Sequence, residues 1–353
     1  LEPGRMLLID TEQQRIVGDD EIKAGFAARQ PYRAWLNRYR PTLECIPKTL
    51  PSEDTTPLLE RQQLFGYTQE DLEILLRPMA ETGKEPVGSM GNDAALAVLS
   101  ERPHLLYNYF KQLFAQVTNP PIDSIREEIV MSLETAIGRE GNLLDERPED
   151  CAQLFLKSPL LNNACLASVK ALDKPGFHAV TISTLFPVSE GATGMRMALD
   201  RICAEAEAAV DADKTLIVLS DRGAGAAATA IPSLLATGAV HQHLVRARKR
   251  TKCGLVVETA DAREVMHFAL LTGFGAGAVN PYLAIETIED LVARGVIEEK
   301  EPGAAVRNFM HAIEHGLLKV MSKIGISTQQ SYRCAQIFEA VGLGPEVIER
   351  CFT

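Results

Sequence analysis

Asp221, Arg222, Glu258 and Asn280 stand at or just after the ends of short apolar runs, Thr215 to Leu219, Gly254 to Val257 and Gly277 to Val279. In parallel α/β folds, side chains at the C-terminal ends of strands line the functional mouth. Thr184 and Thr259 fall under the same rule. An Asp–Arg pair, a Glu and an Asn around one mouth could hold a small carboxylate or phosphate, the arginine supplying a bidentate donor fork. The same four could equally close on one another as an internal salt-bridge and capping network.

Other residue patterns offer less. His311 and His315 are one helical turn apart with Glu314 between them, but H-E-x-x-H is absent and no third ligand stands out. His241 and His243 point to different helix faces. Gly273-Phe-Gly-Ala-Gly277 follows an expected helix and precedes an expected strand. A phosphate cradle requires the reverse order, strand then loop then helix N-terminus, so this run reads as a helix end leading into a strand. Gly223-Ala-Gly-Ala-Ala-Ala reads as a mobile surface loop.

The elements that would position the four residues are legible from about residue 176 onward. His178 to Leu185 reads as a strand. Met195 to Val210 reads as a helix with Met195, Leu199, Ile202, Ala206 and Val210 inward. Thr215 to Leu219 is an apolar run without polar alternation, as in strands buried on both faces. A helix follows from Ile231 to Arg246, opened by Pro232, then a strand from Gly254 to Glu258. A helix over Asp261 to Leu271, capped by Asp261, a strand over Gly277 to Asn280 and a helix over Thr287 to Arg294 complete the series. Strand and helix alternate four times, which makes this half an α/β unit with parallel strands. The spacing suits a barrel and an open doubly wound sheet alike.

Residues 68–150 read as helical. Ser124-Ile-Arg-Glu127 looks like a capping box, Ile125, Ile129, Leu133 and Ile137 recur every four residues, and Gly138 stands where such a helix would stop. Met6 to Asp10 is a strand candidate, and a short helix starts at Asp19. Residues 40–60 carry several prolines and read as a connector; residues 300–353 read as mainly helical.

The chain has 353 residues, 46% of them hydrophobic, and a formal net charge of -11. That composition is globular and supports a large core. An acidic surface disfavours nucleic acid and anionic membranes as partners. No apolar run reaches the roughly 18 residues of a membrane helix. The seven cysteines are scattered and none forms C-x-x-C, which argues for reduced thiols in the cytoplasm and against zinc or iron–sulfur ligation. Leu1-Glu-Pro-Gly does not read as a natural start, so a piece of a longer chain is expected.

Gly88-Ser-Met-Gly-Asn-Asp93 and Tyr109-Phe-Lys-Gln-Leu-Phe-Ala-Gln-Val-Thr-Asn-Pro-Pro-Ile-Asp123 are too long and unusual for generic helix or strand. With them stand Pro31-Tyr-Arg-Ala-Trp35, Phe65-Gly-Tyr-Thr-Gln-Glu-Asp-Leu72, Thr237-Gly-Ala-Val-His241, Ala278-Val-Asn-Pro-Tyr-Leu-Ala284, Gly316-Leu-Leu-Lys-Val-Met-Ser-Lys323 and Ala335-Gln-Ile-Phe-Glu-Ala-Val-Gly342. Taken in order, these runs resemble the central domain of the glutamate synthase large subunit. That enzyme makes glutamate from glutamine and 2-oxoglutarate. The departures are Asn92, Ala95, Ile324 and Cys334, where the family usually has Asp, Pro, Met and Gly.

The resemblance implies an α/β fold, a degenerate or incomplete (β/α) barrel-like parallel sheet preceded by a mainly helical N-terminal portion. It implies a connector from a glutaminase domain over 1–60, the central domain over 61–300, and a helical segment over 301–353 leading toward an FMN-binding domain. It implies no catalytic centre, flavin or metal here; FMN and an iron–sulfur cluster belong to the parent enzyme, which takes electrons through a small NADPH-oxidising subunit or from ferredoxin. The loops carrying Met90, Gly91, Asn92 and Asp93, and Thr118 and Asn119, would help wall an internal ammonia tunnel, with Met90 and Thr118 foremost. A methionine is flexible enough to gate, and a tunnel lining must keep ammonia neutral and away from water. Packing of a turn at a domain interface is the plainer role for the same residues. Two rivals remain, a free-standing barrel enzyme using Asp221, Arg222, Glu258 and Asn280, and a pure interdomain scaffold.

Overall fold

The computed structural model describes residues 2–49, 54–87, 95–113, 126–142, 144–298, 301 and 303–353. Its centre is a sheet of four parallel strands: β1 (Phe177–Ser183), β2 (Leu216–Ser220), β3 (Gly254–Glu258) and β4 (Ala278–Asn280). They lie side by side in chain order, so every crossover leads to the neighbouring strand. The connections carry α1 (Gly191–Asp211), α2 (Ser233–Arg246) and α3 (Val265–Gly273), and α4 (Tyr282–Ala293) follows β4.

The alternation of side chains divides the core in two. Ile217, Leu219, Leu255, Val257 and Val279 face α1–α4 and α5 (Ala304–Ile324). Leu216, Val218, Val256 and Ala278 face the opposite way, against an antiparallel hairpin of Thr135–Gly138 and Gln153–Leu156. The hairpin seats Ile137 on two glycines. A Cβ on Gly254 would lie 3.1 Å from that of Ile137, and one on Gly277 would lie 2.7 Å from its Cγ2. Only glycine allows so close an approach.

The sheet does not close on itself among the described residues. Outside β4 a single parallel bridge joins Leu160 to Val279, and outside β1 the two-residue strand Asp173–Lys174 runs antiparallel. Four consecutive βα units of a barrel-like arrangement are present, and no closed barrel.

The expected helical texture of residues 68–150 is largely overturned. A π-helical turn over Asp71–Leu76 runs into a helix over Arg77–Thr82, and among the described residues the next α-helix is Glu127–Val130, after short 3-10 turns at Ala97–Leu99 and Leu106–Tyr109. Ile129 is 84% exposed while Ile137 is buried in a strand, so they share no helical stripe. The backbone of Ser132 bonds to Ser327 and Gln329, and the cleft over Gly254 and Gly277 draws Ile137 into a hairpin. Tertiary pairing outweighs local period here. Among the described residues the portion before β1 is accordingly mixed rather than mainly helical, with a further hairpin of Leu8–Asp10 and Arg15–Val17 and the strand Phe110–Gln112 paired to Phe338–Ala340. The helix expected over 287–294 starts earlier, at Tyr282.

Candidate functional site

The last residues of the four strands stand on one rung. Ser183 pairs with Ser220, Ser220 with Glu258, and Glu258 with Asn280. Parity places them on the hairpin side of the sheet, above Val218, Val256 and Ala278.

Glu258 is the hub. It is 3% exposed and accepts from Lys170 Nζ at 2.5 Å, Ser220 Oγ at 2.5 Å and Arg222 Nε at 2.7 Å. Burial pushes its carboxyl up, but the charges and hydrogen bonds of Lys170, Ser220 and Arg222 outweigh that and leave it below its ordinary value. Arg222 continues the chain. Its Nη1 donates to Glu286 Oε1 at 3.0 Å, and its guanidinium lies over the Tyr282 ring at 4.0 Å. Burial opposes the charge on Arg222, and Glu258 and Glu286 more than restore it. Glu286 is in turn paired with Arg61, which also meets Asp54 at 3.8 Å. Lys170, Arg222 and Arg61 thus balance Glu258, Glu286 and Asp54.

The other two expected residues are also spent on internal bonds. Asn280 is fully buried and donates through Nδ2 to Leu161 O at 2.8 Å and Asn163 Oδ1 at 2.9 Å, while its Oδ1 has no protein partner. Asp221 stands one residue past the rung and turns to the helix side. Its Oδ2 lies 2.8 Å from Thr259 Oγ1, and it accepts from the Ala260 amide at 3.0 Å and from the Tyr282 hydroxyl. Burial, reinforced by the neighbouring Asp261 carboxylate, pushes the Asp221 carboxyl up to about 8. The structure therefore gathers Arg222 with Glu258, turns the Asp221 and Asn280 side chains to other partners, and among the described residues leaves no uncompensated positive charge there for an anion. Sequence reasoning missed Lys170, Ser220, Glu286 and Arg61. Ser220 carried a signal, as the residue before Asp221; Lys170 and Arg61 come from distant elements and carried none.

The remaining candidates separate. Met90, Gly91, Asn92, Asp93, Thr118 and Asn119 lie outside the described residues. Gly273 ends α3 and leads into β4, as the residue order implies. His311 and His315 stack at 6.5 Å and line a cavity of 360 Å³ with Glu314 and Lys157. Asp261 does not cap α3; Glu264 does, in a reciprocal capping box with His267. Asp261 is buried among Tyr107, Ser233 and Thr259 instead.

Residues 60–344 match the family model described as glutamate synthase central domain. The chain belongs to that family. Residues 1–35 match the model for class-II glutamine amidotransferases. Over its whole length the chain is 47% identical to the NADH glutamate synthase of Schizosaccharomyces pombe, of which it covers 17%. It is 45% identical to the NADPH glutamate synthase large chain of Bacillus subtilis and 43% identical to ferredoxin-dependent glutamate synthase 2 of Synechocystis, covering 23% of each. The chain thus spans about a fifth of the length of the relatives it matches. Flavocytochrome b2 structures overlay on 42% of the chain at a TM-score of 0.33 and 12% identity, too little to carry an argument.

Proposed function

We propose that this central domain is a connector without a reaction centre of its own, joining the glutaminase and synthase parts of a glutamate synthase that forms glutamate from glutamine and 2-oxoglutarate. The observation that carries this reading is the filled mouth. Where a barrel enzyme keeps its active site, Lys170, Glu258, Arg222, Glu286 and Arg61 neutralise one another. Among the described residues that arrangement leaves no cation there free to receive a flavin phosphate, so the charge-assisted contacts that would help hold one are already spent within the protein. FMN and the iron–sulfur cluster accordingly belong to other domains of the parent chain in this reading.

The N-terminal segment supports the first neighbour. Residues 1–35 match the amidotransferase model, and there Ile9, Ile16 and Phe26 are 65, 67 and 55% exposed. A two-stranded hairpin with outward apolar side chains is marginal alone; the rest of a glutaminase domain would cover it. The loops around Met90 and Thr118 would then help wall the path of ammonia to the synthase site.

Two measurements test this. Phosphate, glutamine and 2-oxoglutarate should leave the melting temperature of the chain unchanged, whereas a true ligand at 100 times its Kd would add about 2.7 kcal/mol of stability. In the full-length enzyme, Met90→Ala should raise the glutamine hydrolysed per glutamate formed. A ratio unchanged from the parent would leave a scaffold and remove the tunnel role.

A further inference from the structure

Two carboxyl groups of this domain are buried against one hydroxyl. Asp221, after β2, is 2% exposed, and Asp261, after β3, is 7% exposed. Thr259 Oγ1 lies 2.8 Å from Asp221 Oδ2 and 2.6 Å from Asp261 Oδ1. A threonine hydroxyl has one proton, so it donates to one carboxylate, and the second contact is a hydrogen bond only if that carboxyl carries a proton of its own. Tyr107 and Ser233 do not supply it. Both lie against Asp261 Oδ1, at 2.9 and 2.6 Å, and 2.7 Å from each other.

No described lysine or arginine side chain bonds to either carboxyl group. Arg222 is committed to Glu258 and Glu286. Arg263 donates to the backbone of Gly66 and Asp261 and pairs with Asp71 at 3.2 Å. His267, stacked on Tyr107 at 4.1 Å, is held neutral by burial, its pKa lowered to about 3. Tyr67 donates to Ala260 O, and Tyr282 to Asp221. Asp54 adds negative charge near Tyr282. Two bare carboxylates buried against the same hydroxyl would repel strongly.

We propose that Asp221 keeps its proton at neutral pH and donates it to Thr259, whose hydroxyl then donates to Asp261, and that this proton relay holds the Tyr107 segment in place. The proposal rests on the connector reading above and adds a regulation to it. Tyr107 is anchored on Asp261 and Ser233, and its turn, Leu106–Tyr109, leads directly into the strand Phe110–Gln112. This piece of chain joins the two loops assigned to the ammonia path. Loss of the proton sets Asp221 against Asp261 and loosens that anchor. The sign follows from the upward direction of the shift. A carboxyl raised in the folded state adds stability that is complete below the ordinary carboxylate range and lost as pH rises through the folded value, about 8 here.

The test uses full-length glutamate synthase, in the parent form and as Asp221→Asn, from about pH 6 to about pH 9.5. An asparagine supplies a permanent N–H where the carboxyl supplied its proton. Hydrogen exchange of residues 106–112 should rise about tenfold beyond the intrinsic base-catalysed increase in the parent, and not in the variant. Glutamine hydrolysed per glutamate formed should rise over the same interval in the parent alone. Identical exchange profiles in the two proteins would overturn the proton relay. If the variant does not fold, the parent decides alone: exchange that follows only the intrinsic slope refutes the proposal. An exchange response with a flat coupling ratio would keep the proton relay and remove the ammonia-path reading on which its role rests.

Discussion

Glu258→Gln is the substitution that bears most directly on the filled mouth. The glutamine keeps one acceptor oxygen and replaces the other with a donor. If its oxygen takes the place of Oε2, it still serves Lys170 and Ser220, and the new NH2 faces Arg222 Nε at 2.7 Å, donor against donor. In the flipped amide the oxygen serves Arg222 and Ser220 Oγ can accept from the NH2, but that NH2 faces Lys170 Nζ, donor against donor. Either way Lys170 loses its charge partner and Arg222 loses one of its two, keeping only Glu286. Removing one member of a buried pair costs about 3–5 kcal/mol. The side chains of Lys170 and Arg222 keep 27 and 13% of their exposure, so water screens them in part and the lower end, about 3 kcal/mol, is the expected loss. With a urea m-value of about 3 kcal/mol/M, the midpoint at neutral pH falls by roughly 1 M. The gap should narrow in acid. The Glu258 carboxyl lies below its ordinary value, so its stability is fully present above the usual carboxylate range and is lost as pH falls through the folded value. A midpoint shift under about 0.3 M, or a gap that persists in acid, would refute the argument. It would mean that water, rather than Glu258, satisfies these cations, and the mouth would be open to an anion after all.

Phe309 is fully buried in α5, and Phe309→Ala should cost about 3–5 kcal/mol by urea unfolding. Gly316→Ala should cost about 1–3 kcal/mol, because its Cβ would lie 2.4 Å from Val265 Cγ2 where α5 crosses α3; Gly344, with nothing within 4 Å, is the neutral control. Burial lowers His241 and His267 to about 3, so their contribution is present above the ordinary imidazole value and is lost as pH falls from there toward 3. Asp221 acts in the opposite sense. The urea midpoint of Asp221→Asn should therefore fall more steeply between about pH 6 and about pH 4 than that of the parent, and parallel slopes would refute the opposition.

The four βα units could be read from residues 176–294 because the strands β2 and β3 are short apolar runs buried on both faces, and the helices between them carry their apolar residues at helical spacing. The same features say nothing about closure. A barrel and a half barrel have the same repeat, and what stops this sheet is one bridge from Leu160 and two residues at Asp173. The stripe Ile125, Ile129, Leu133, Ile137 misled because a four-residue period describes a helix only if nothing else competes for those side chains. Gly254 and Gly277, more than a hundred residues away, compete for Ile137. Asp261 misled for a related reason. It is a good capping residue, but Tyr107, Ser233 and Thr259 already surround it, and Glu264 caps the helix instead.

The sharpest case is the pair of acids at the mouth. Glu258 and Asp221 both follow apolar strands, and nothing local distinguishes them. Glu258 is the last residue of β3 and pairs with Ser220, so the pleat turns it to the hairpin side, where Lys170 and Arg222 keep it ionised. Asp221 comes one residue later on its own strand, so the pleat turns it to the helix side, where it finds hydroxyls, an amide and another acid. A one-residue step reverses the face, and the face decides the charge. Sequence position shows that an acid stands at the mouth; register parity, set by which residues pair across the sheet, determines whether it ends as an anion in a salt bridge or as a buried acid holding its proton.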